Sequence, residues 1–216
     1  MPRRVALGAG LAALIVLAGS CTGSNAPARV SAGATSEPPG TSPAPTPSTP
    51  PTTAATVALR DCADAVHGSL GSGWRTSSVS AGPIAFVGLA EYRNEAPGNF
   101  RHRPGGWGGA KVLAVVTAGR TVTVTVPDAE AGRLALLYSV TSFHDSGLYR
   151  PGDGERSVTF RACPPGQTAA GEGGTQFNGG FVVAGAQCAT LDVTTDGGPA
   201  RHVRFAFGRG ACSSGA

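Results

Sequence analysis

Thr121 to Val126 reads TVTVTV, and this alternation decides the fold. In an extended chain successive side chains point to opposite faces, so Val122, Val124 and Val126 share one face and Thr121, Thr123 and Thr125 the other. One apolar face and one hydroxyl face describe an antiparallel strand that packs on a core on one side and meets water on the other.

The same period returns on both sides of it. Arg133–Val140 brings Leu134, Leu136 and Tyr138 to one face, and Ser157–Ala162 does so with Val158 and Phe160. Ala189–Val193 offers Leu191 and Val193, and His202–Phe207 offers Val203, Phe205 and Phe207. Two stretches, IAFVGLA from Ile84 and KVLAVV from Lys111, are apolar on both faces and read as central strands. Lys111–Thr117 and Thr121–Val126, separated by Ala118, Gly119 and Arg120, are expected to form a hairpin. Asn178-Gly179 within TQFNGGFVV, Thr175 to Val183, is expected to make a type I′ turn, whose central residues both need positive φ. Helical periodicity is nearly absent; the one candidate is Asp61 to Leu70, with Asp61 as cap.

Seven or more short strands broken by Gly, Pro and Asp predict an all-β fold: an antiparallel β-sandwich, immunoglobulin-like in architecture and stapled by disulfides. The Cys…Trp…Cys spacing of true immunoglobulin domains is absent, so the architecture and not the family is expected. Residues 57–216 are long enough for one domain with its own core. The chain carries a formal charge of +4, but from Val57 onward 14 Lys and Arg face 12 Asp and Glu, a balance of +2 that does not call for nucleic acid.

Before the domain, residues 22–56 consist mainly of Pro, Thr, Ser, Ala and Gly, with Arg29 and Glu37 the only charges and no aromatic residue. Such a segment cannot bury enough apolar surface to offset the entropy of ordering it, and reads as a disordered tether. Its reach lies between about 30 Å as a coil and about 100 Å fully extended. Ahead of it, Arg3 and Arg4 precede the uncharged run Val5–Leu17, then Ala18, Gly19, Ser20 and Cys21. A spanning helix needs about 20 apolar residues, whereas a positive head, a shorter apolar run and small residues make a secretory signal.

VLAGSC, Val16 to Cys21, resembles the lipobox of bacterial lipoproteins, with Ser20 inserted in the family's usual Leu-Ala-Gly-Cys ending. The resemblance implies that residues 1–20 are a signal peptide, that the Cys21 thiol carries a diacylglyceryl group, and that residues 21–56 tether the domain to the outer face of the cell membrane. Two acyl chains at about 0.8 kcal/mol per buried methylene suffice for that, where one binds only reversibly. A conventional signal peptide cut nearby is the other reading of these residues.

Five cysteines are an odd number. Setting Cys21 aside as the lipid carrier leaves Cys62, Cys163, Cys188 and Cys212, which can form two disulfides in three ways. The pairing Cys163–Cys188 with Cys62–Cys212 is expected, the second closing the ends of the domain on each other. No two of the four stand at Cys-x-x-Cys spacing, so neither a metal nor a cofactor is expected.

For chemistry, the loop YRNEAPGNFRHRPGGWGG, Tyr92 to Gly109, is the most unusual segment. It gathers Arg93, Arg101, His102 and Arg103 with Trp107, Tyr92 and Phe100 among glycines and prolines. Guanidinium forks bind phosphate or carboxylate, and aromatic faces stack on sugars or cations. It is the candidate binding loop, with an anionic cell-wall polymer or another surface protein as partner; its plain alternative is a solvated connection whose Phe100 and Trp107 fold back onto the core. FHDSG, Phe143 to Gly147, sets His, Asp and Ser side by side, but neighbours in an extended chain face apart and do not make a triad. His67, His102, His144 and His202 lack ligand spacing. Glu91 with Glu95, or Asp153 with Glu155, would be the carboxylate pairs of a glycosidase. The sequence thus favours a membrane-anchored binding module without catalytic residues, over the alternative of a small secreted hydrolase of wall polymers.

Overall fold

The computed structural model describes residues 57–139, 142, 147–167 and 174–212. The signal segment, Cys21, the tether and residues 143–146 of FHDSG lie outside the described residues.

The protein is an all-β sandwich stapled by two disulfides. TVTVTV forms β6 (Thr121–Thr125) at the centre of a five-stranded sheet. On one side lie β9 (Ser157–Arg161) and then β1 (Ala58–Arg60); on the other lie β12 (Gln187–Thr195) and β13 (Arg201–Phe207). Val122, Val124 and Val126 are fully buried, as the alternation requires. The hydroxyl face is organised across strands: Thr123 Oγ1 lies 2.9 Å from Thr159 Oγ1 and Thr125 Oγ1 2.9 Å from Ser157 Oγ. Such cross-strand pairs contribute about 0.2–1 kcal/mol each. Among the described residues every strand pairing is antiparallel except β1 with β9.

Two further sheets of four strands complete the sandwich. One has the order β10 (Gly174–Phe177), β5 (Leu113–Thr117), β3 (Ile84–Val87), β2 (Val79–Ala81); the other β7 (Leu134–Leu136), β11 (Gly180–Val183), β4 (Trp107–Lys111), β8 (Leu148–Tyr149). The main core carries a chain of edge-to-face rings running through Phe160, Tyr138, Phe181 and Phe207.

The two expected hairpins are not formed. β5 and β6 are consecutive but belong to different sheets. Gly119, at φ +73°, turns the chain from one layer to the other, and its amide donates to Cys163 O (2.8 Å), bonding the link to the chain beyond β9. Asn178-Gly179 is not a turn either, and neither residue has a positive φ. The β10–β5 and β11–β4 ladders share one register, Phe177 opposite Ala114 and Gly180 opposite Lys111, so the chain runs straight on through the dipeptide. Packing explains the glycine: a Cβ on Gly179 would stand 2.1 Å from the Tyr138 ring.

The type I′ hairpin lies elsewhere, between β12 and β13, where Asp196 (φ +48°) and Gly197 (φ +73°) are both left-handed and Gly198 N donates to Thr195 O at 2.8 Å. The Asp61–Leu70 helix reduces to a single 3-10 turn, Cys62–Asp64, although Asp61 does cap it, accepting from Ala63 N at 2.9 Å. The chain is already extended at Ala65 (ψ 139°).

The disulfides are Cys62–Cys163 and Cys188–Cys212, not the expected Cys163–Cys188 and Cys62–Cys212. The parallel pairing of β1 with β9 is the reason. Arg60 stands opposite Phe160, so both chains deliver a cysteine just past the end of the ladder, with Cα atoms 4.7 Å apart. Cys188 lies near the far end of the β12–β13 hairpin, opposite Ala206, within reach of Cys212 as the chain leaves β13.

Candidate functional site

The Arg/aromatic loop divides into a buried and an exposed part. Phe100 is buried against Phe207 (5.5 Å between ring centres), and Tyr92 packs on both Phe100 and Phe207. The Tyr92 hydroxyl donates to Lys111 O at 3.0 Å, and burial, followed by the nearby Glu95 carboxylate, raises its pKa. Trp107 is half-buried against the small cluster of Ala135, Leu137, Tyr149 and Val182, with His102 edge-on to it at 4.6 Å. Arg93, Arg101, His102 and Arg103 stay exposed. The loop's aromatic residues therefore serve the core, and its cations stand outside.

A concave feature begins at the loop's last residue, Gly109. A cleft of about 720 Å³ is enclosed by five segments remote in sequence: residues 60–66, Gly109–Lys111, Leu137, Gly147 with Tyr149, and Asn178–Gly180. The volume falls within the range of small-molecule sites. Apolar lining comes from Ala63, Ala65, Val66, Ala110, Leu137 and Tyr149; the charged groups are Arg60, Asp64 and Lys111.

Arg60 holds these walls together. It is 5% exposed, and its Nη1 donates to Tyr138 O, just after β7, and to Asn178 O (3.3 Å), between β10 and β11. Nη2 donates to Asp64 O (3.2 Å). Nε lies 3.5 Å from Asp64 Oδ2, an ion pair by distance that lacks hydrogen-bond geometry. The guanidinium also sits over the Phe177 ring, 5.8 Å from its centre. A planar fork with five donors suits a place where carbonyls arrive from three directions.

Tyr138 is the second anchor. Its hydroxyl donates to Val112 O (2.9 Å), and complete burial holds its pKa well above the ordinary tyrosine range, with Tyr92 adding and Arg60 opposing. Glu155 fixes the chain on either side, accepting from Tyr138 N (3.1 Å) and from Ser142 Oγ.

The remaining candidates do not converge on the cleft. Glu95 accepts from the Asn99 side chain at Nδ2 (2.5 Å), a local pair, and Asp153 accepts from Arg150 N at 2.6 Å, a local cap. His202 pairs with Asp192 at 2.6 Å on the five-stranded sheet, and His67 is exposed. His144 lies outside the described residues. Among the described residues no three His, Cys, Asp or Glu side chains gather as metal ligands.

Sequence reading missed Arg60 and Lys111 as site residues. The signal for Arg60 was present in VALR, Val57 to Arg60, where the alternation is inverted. Val57 and Leu59 are each 49% exposed while Arg60 turns inward. No protein-family model, curated protein or solved structure matches the chain.

Proposed function

We propose that this chain is an extracytoplasmic lipoprotein, held to the membrane through Cys21, whose tethered sandwich is a binding module that takes its ligand in the Arg60 cleft. The cleft carries the binding part of the reading. It is of ligand size, its walls are fixed by a buried guanidinium, and Asp64, the one lining carboxylate among the described residues, is engaged with Arg60 and with the Asp61 amide (3.1 Å). Such a lining suits recognition, since acid–base hydrolysis asks for two ionisable groups free to exchange protons.

The anchor rests on the lipobox together with the cysteine arithmetic. Two disulfides use four of the five cysteines and leave Cys21 over, the number a lipid carrier requires. The tether would set the domain out from the membrane toward the cell wall, where an anionic wall polymer or another surface protein is a partner within reach.

The test is mass spectrometry on the protein extracted from its native membrane, first denatured and then under native conditions. A mass of residues 21–216 plus a diacylglyceryl group supports the anchor, and a lipid-free mass removes it. A non-covalent adduct kept by the wild type and lost in Ala63→Trp, which puts an indole on the exposed rim of the cleft, supports the binding module. An adduct that survives that substitution places binding elsewhere.

A further inference from the structure

The exposed cations of the Arg/aromatic loop are joined in space by arginines from the C-terminal segment. Gly208 N donates to Tyr92 O (2.8 Å) and Gly210 N to Arg93 O (2.9 Å), so the chain leaving β13 is laid along the start of the loop. Phe100 packs on Phe207, and a Cβ on Gly208 would stand 3.0 Å from the Phe100 ring. These contacts bring Arg93 and Arg101 to the same end of the sandwich as Arg204 and Arg209, all four exposed. A pocket of about 280 Å³ opens between the segments; Arg93 and Arg204 both line it, and its lining holds no carboxylate among the described residues.

The excess of charge is local. Over the whole domain 14 Lys and Arg nearly balance 12 Asp and Glu, but residues 89–101 and 204–212 set these four arginines against Glu91 and Glu95 alone. Glu95 is engaged with Asn99. Among the described residues Arg93, Arg101 and Arg209 form no ion pair. Guanidinium forks take phosphate or carboxylate through paired hydrogen bonds. A single anion in the pocket would leave out Arg101 and Arg209, which lie outside its lining, whereas a chain of anions reaches all four. The rings nearest this surface, Tyr92, Phe100 and Phe207, pack on one another, which leaves none of them to stack on a neutral sugar or to enter a bilayer. β13 and β1 are the two edges of the five-stranded sheet, roughly 19 Å apart at the usual strand spacing. Residue 57 precedes β1, so the arginines stand at the edge away from the point where the tether enters.

We propose that this arginine surface, separate from the Arg60 cleft, binds a flexible polyanion with repeating phosphate or carboxylate groups. One group occupies the pocket between Arg93 and Arg204, and its neighbours along the polymer meet Arg101 and Arg209. The contacts are individually weak and exposed, so affinity comes from their number on one chain and falls steeply with salt. The site does not depend on whether the cleft takes a ligand.

The experiment is titration of the full-length protein with end-labelled, long-chain inorganic polyphosphate, read by fluorescence anisotropy, with the thermal midpoint of each variant recorded. Four phosphate contacts imply an affinity that falls roughly fiftyfold as salt rises from about 50 to about 200 mM, and orthophosphate at equal phosphate concentration should not compete. Arg93→Gln/Arg209→Gln should weaken binding about tenfold with the midpoint unchanged, and Arg93→Lys/Arg209→Lys should recover most of it. Arg150→Gln/Arg161→Gln removes two charges from exposed positions elsewhere and should stay within about twofold of wild type. Equal losses in the two Gln pairs would reduce the effect to net charge and overturn the proposal, as would effective competition by orthophosphate or no binding of polyphosphate at all. Phosphatidylglycerol vesicles bound through Arg93 and Arg209, with polyphosphate unbound, would assign the surface to the membrane and overturn it too. Ala63→Trp should bind polyphosphate like wild type; a loss there would put the polymer in the cleft and overturn the separate surface, while a cleft adduct lost in Ala63→Trp with polyphosphate retained upholds both sites.

Discussion

Asn178-Gly179 and Asp196-Gly197 are the same turn chemistry placed in two surroundings, and the chain treats them in opposite ways. At Asp196-Gly197 both residues take positive φ and reverse the chain between β12 and β13, which then pair over seven residues. At Asn178-Gly179 the chain runs straight on, because its neighbours on both sides are already paired to β5 and β4 and the Tyr138 ring occupies the space beside Gly179. Local propensity decides where nothing distant competes; where a ladder and a buried ring compete, packing decides. The straight dipeptide is also the one that builds the cleft, since Asn178 O receives Arg60.

The difference can be broken or sharpened experimentally. The largest effect belongs to the bond that brings Arg60 to its place. Replacing Cys62 and Cys163 by Ala opens a loop of 101 residues, with a loss of about 4.7 kcal/mol in the chain-entropy model, against about 3.4 kcal/mol for the 24-residue Cys188–Cys212 loop beside the hairpin. Urea denaturation should preserve that order; equal losses would mean that the two staples act alike. Next comes Gly179→Ala, whose Cβ meets the buried Tyr138 ring at 2.1 Å and should cost about 3 kcal/mol. Retained wild-type stability would return Gly179 to the status of an ordinary flexible position.

Arg60→Met keeps the bulk of the side chain but leaves the carbonyls of Tyr138 and Asn178 without their donor. A loss of about 2–3 kcal/mol is expected, with ligand adducts lost as well. Stability unchanged with adducts retained would show that the guanidinium does not hold the walls. Gly197→Ala forces a Cβ into a left-handed turn at φ +73° and should cost about 1 kcal/mol, visible as a small fall in thermal midpoint.

The smallest effect is a pH dependence at the hairpin. The Thr121 amide (3.0 Å) and Arg120 Nε (2.7 Å) donate to the Asp196 carboxylate and lower its pKa. Its folded pKa therefore lies below the unfolded one, so its contribution is present above the ordinary carboxylate range and is lost as pH falls through the lowered value. Asp196→Asn should be slightly less stable than wild type at neutral pH, and the gap should close in acid. A gap constant across that range would detach the effect from the carboxylate.

How much of this was legible depended on the distance between partners in the sequence. TVTVTV, the burial of its valines and the all-β class follow from side-chain period alone, because a strand's two faces are a local property. Which strands pair is not local. The link Ala118–Arg120 is as short as a hairpin loop, yet β5 is buried on both faces and β6 keeps a hydroxyl face, and they belong to different sheets. The Cys62–Cys163 bond followed the parallel pairing of β1 with β9, which no periodicity announces. In the Arg/aromatic loop the residue types drew attention to binding, while Phe100 and Tyr92 were committed to the core. The cleft joins five distant segments, and only the inverted alternation of Val57–Arg60 hinted at it.

The central claim is that the cleft is a long-range assembly held by β1, whereas the β12–β13 hairpin stands by local pairing. Hydrogen exchange on the full-length protein, with and without the Cys62–Cys163 bond, tests it most directly. In the Cys62→Ala/Cys163→Ala variant, amides of residues 58–66, 137–138 and 178–180 should exchange faster while those of 187–207 keep their wild-type protection. Protection lost evenly over both regions, or lost in neither, would contradict the account.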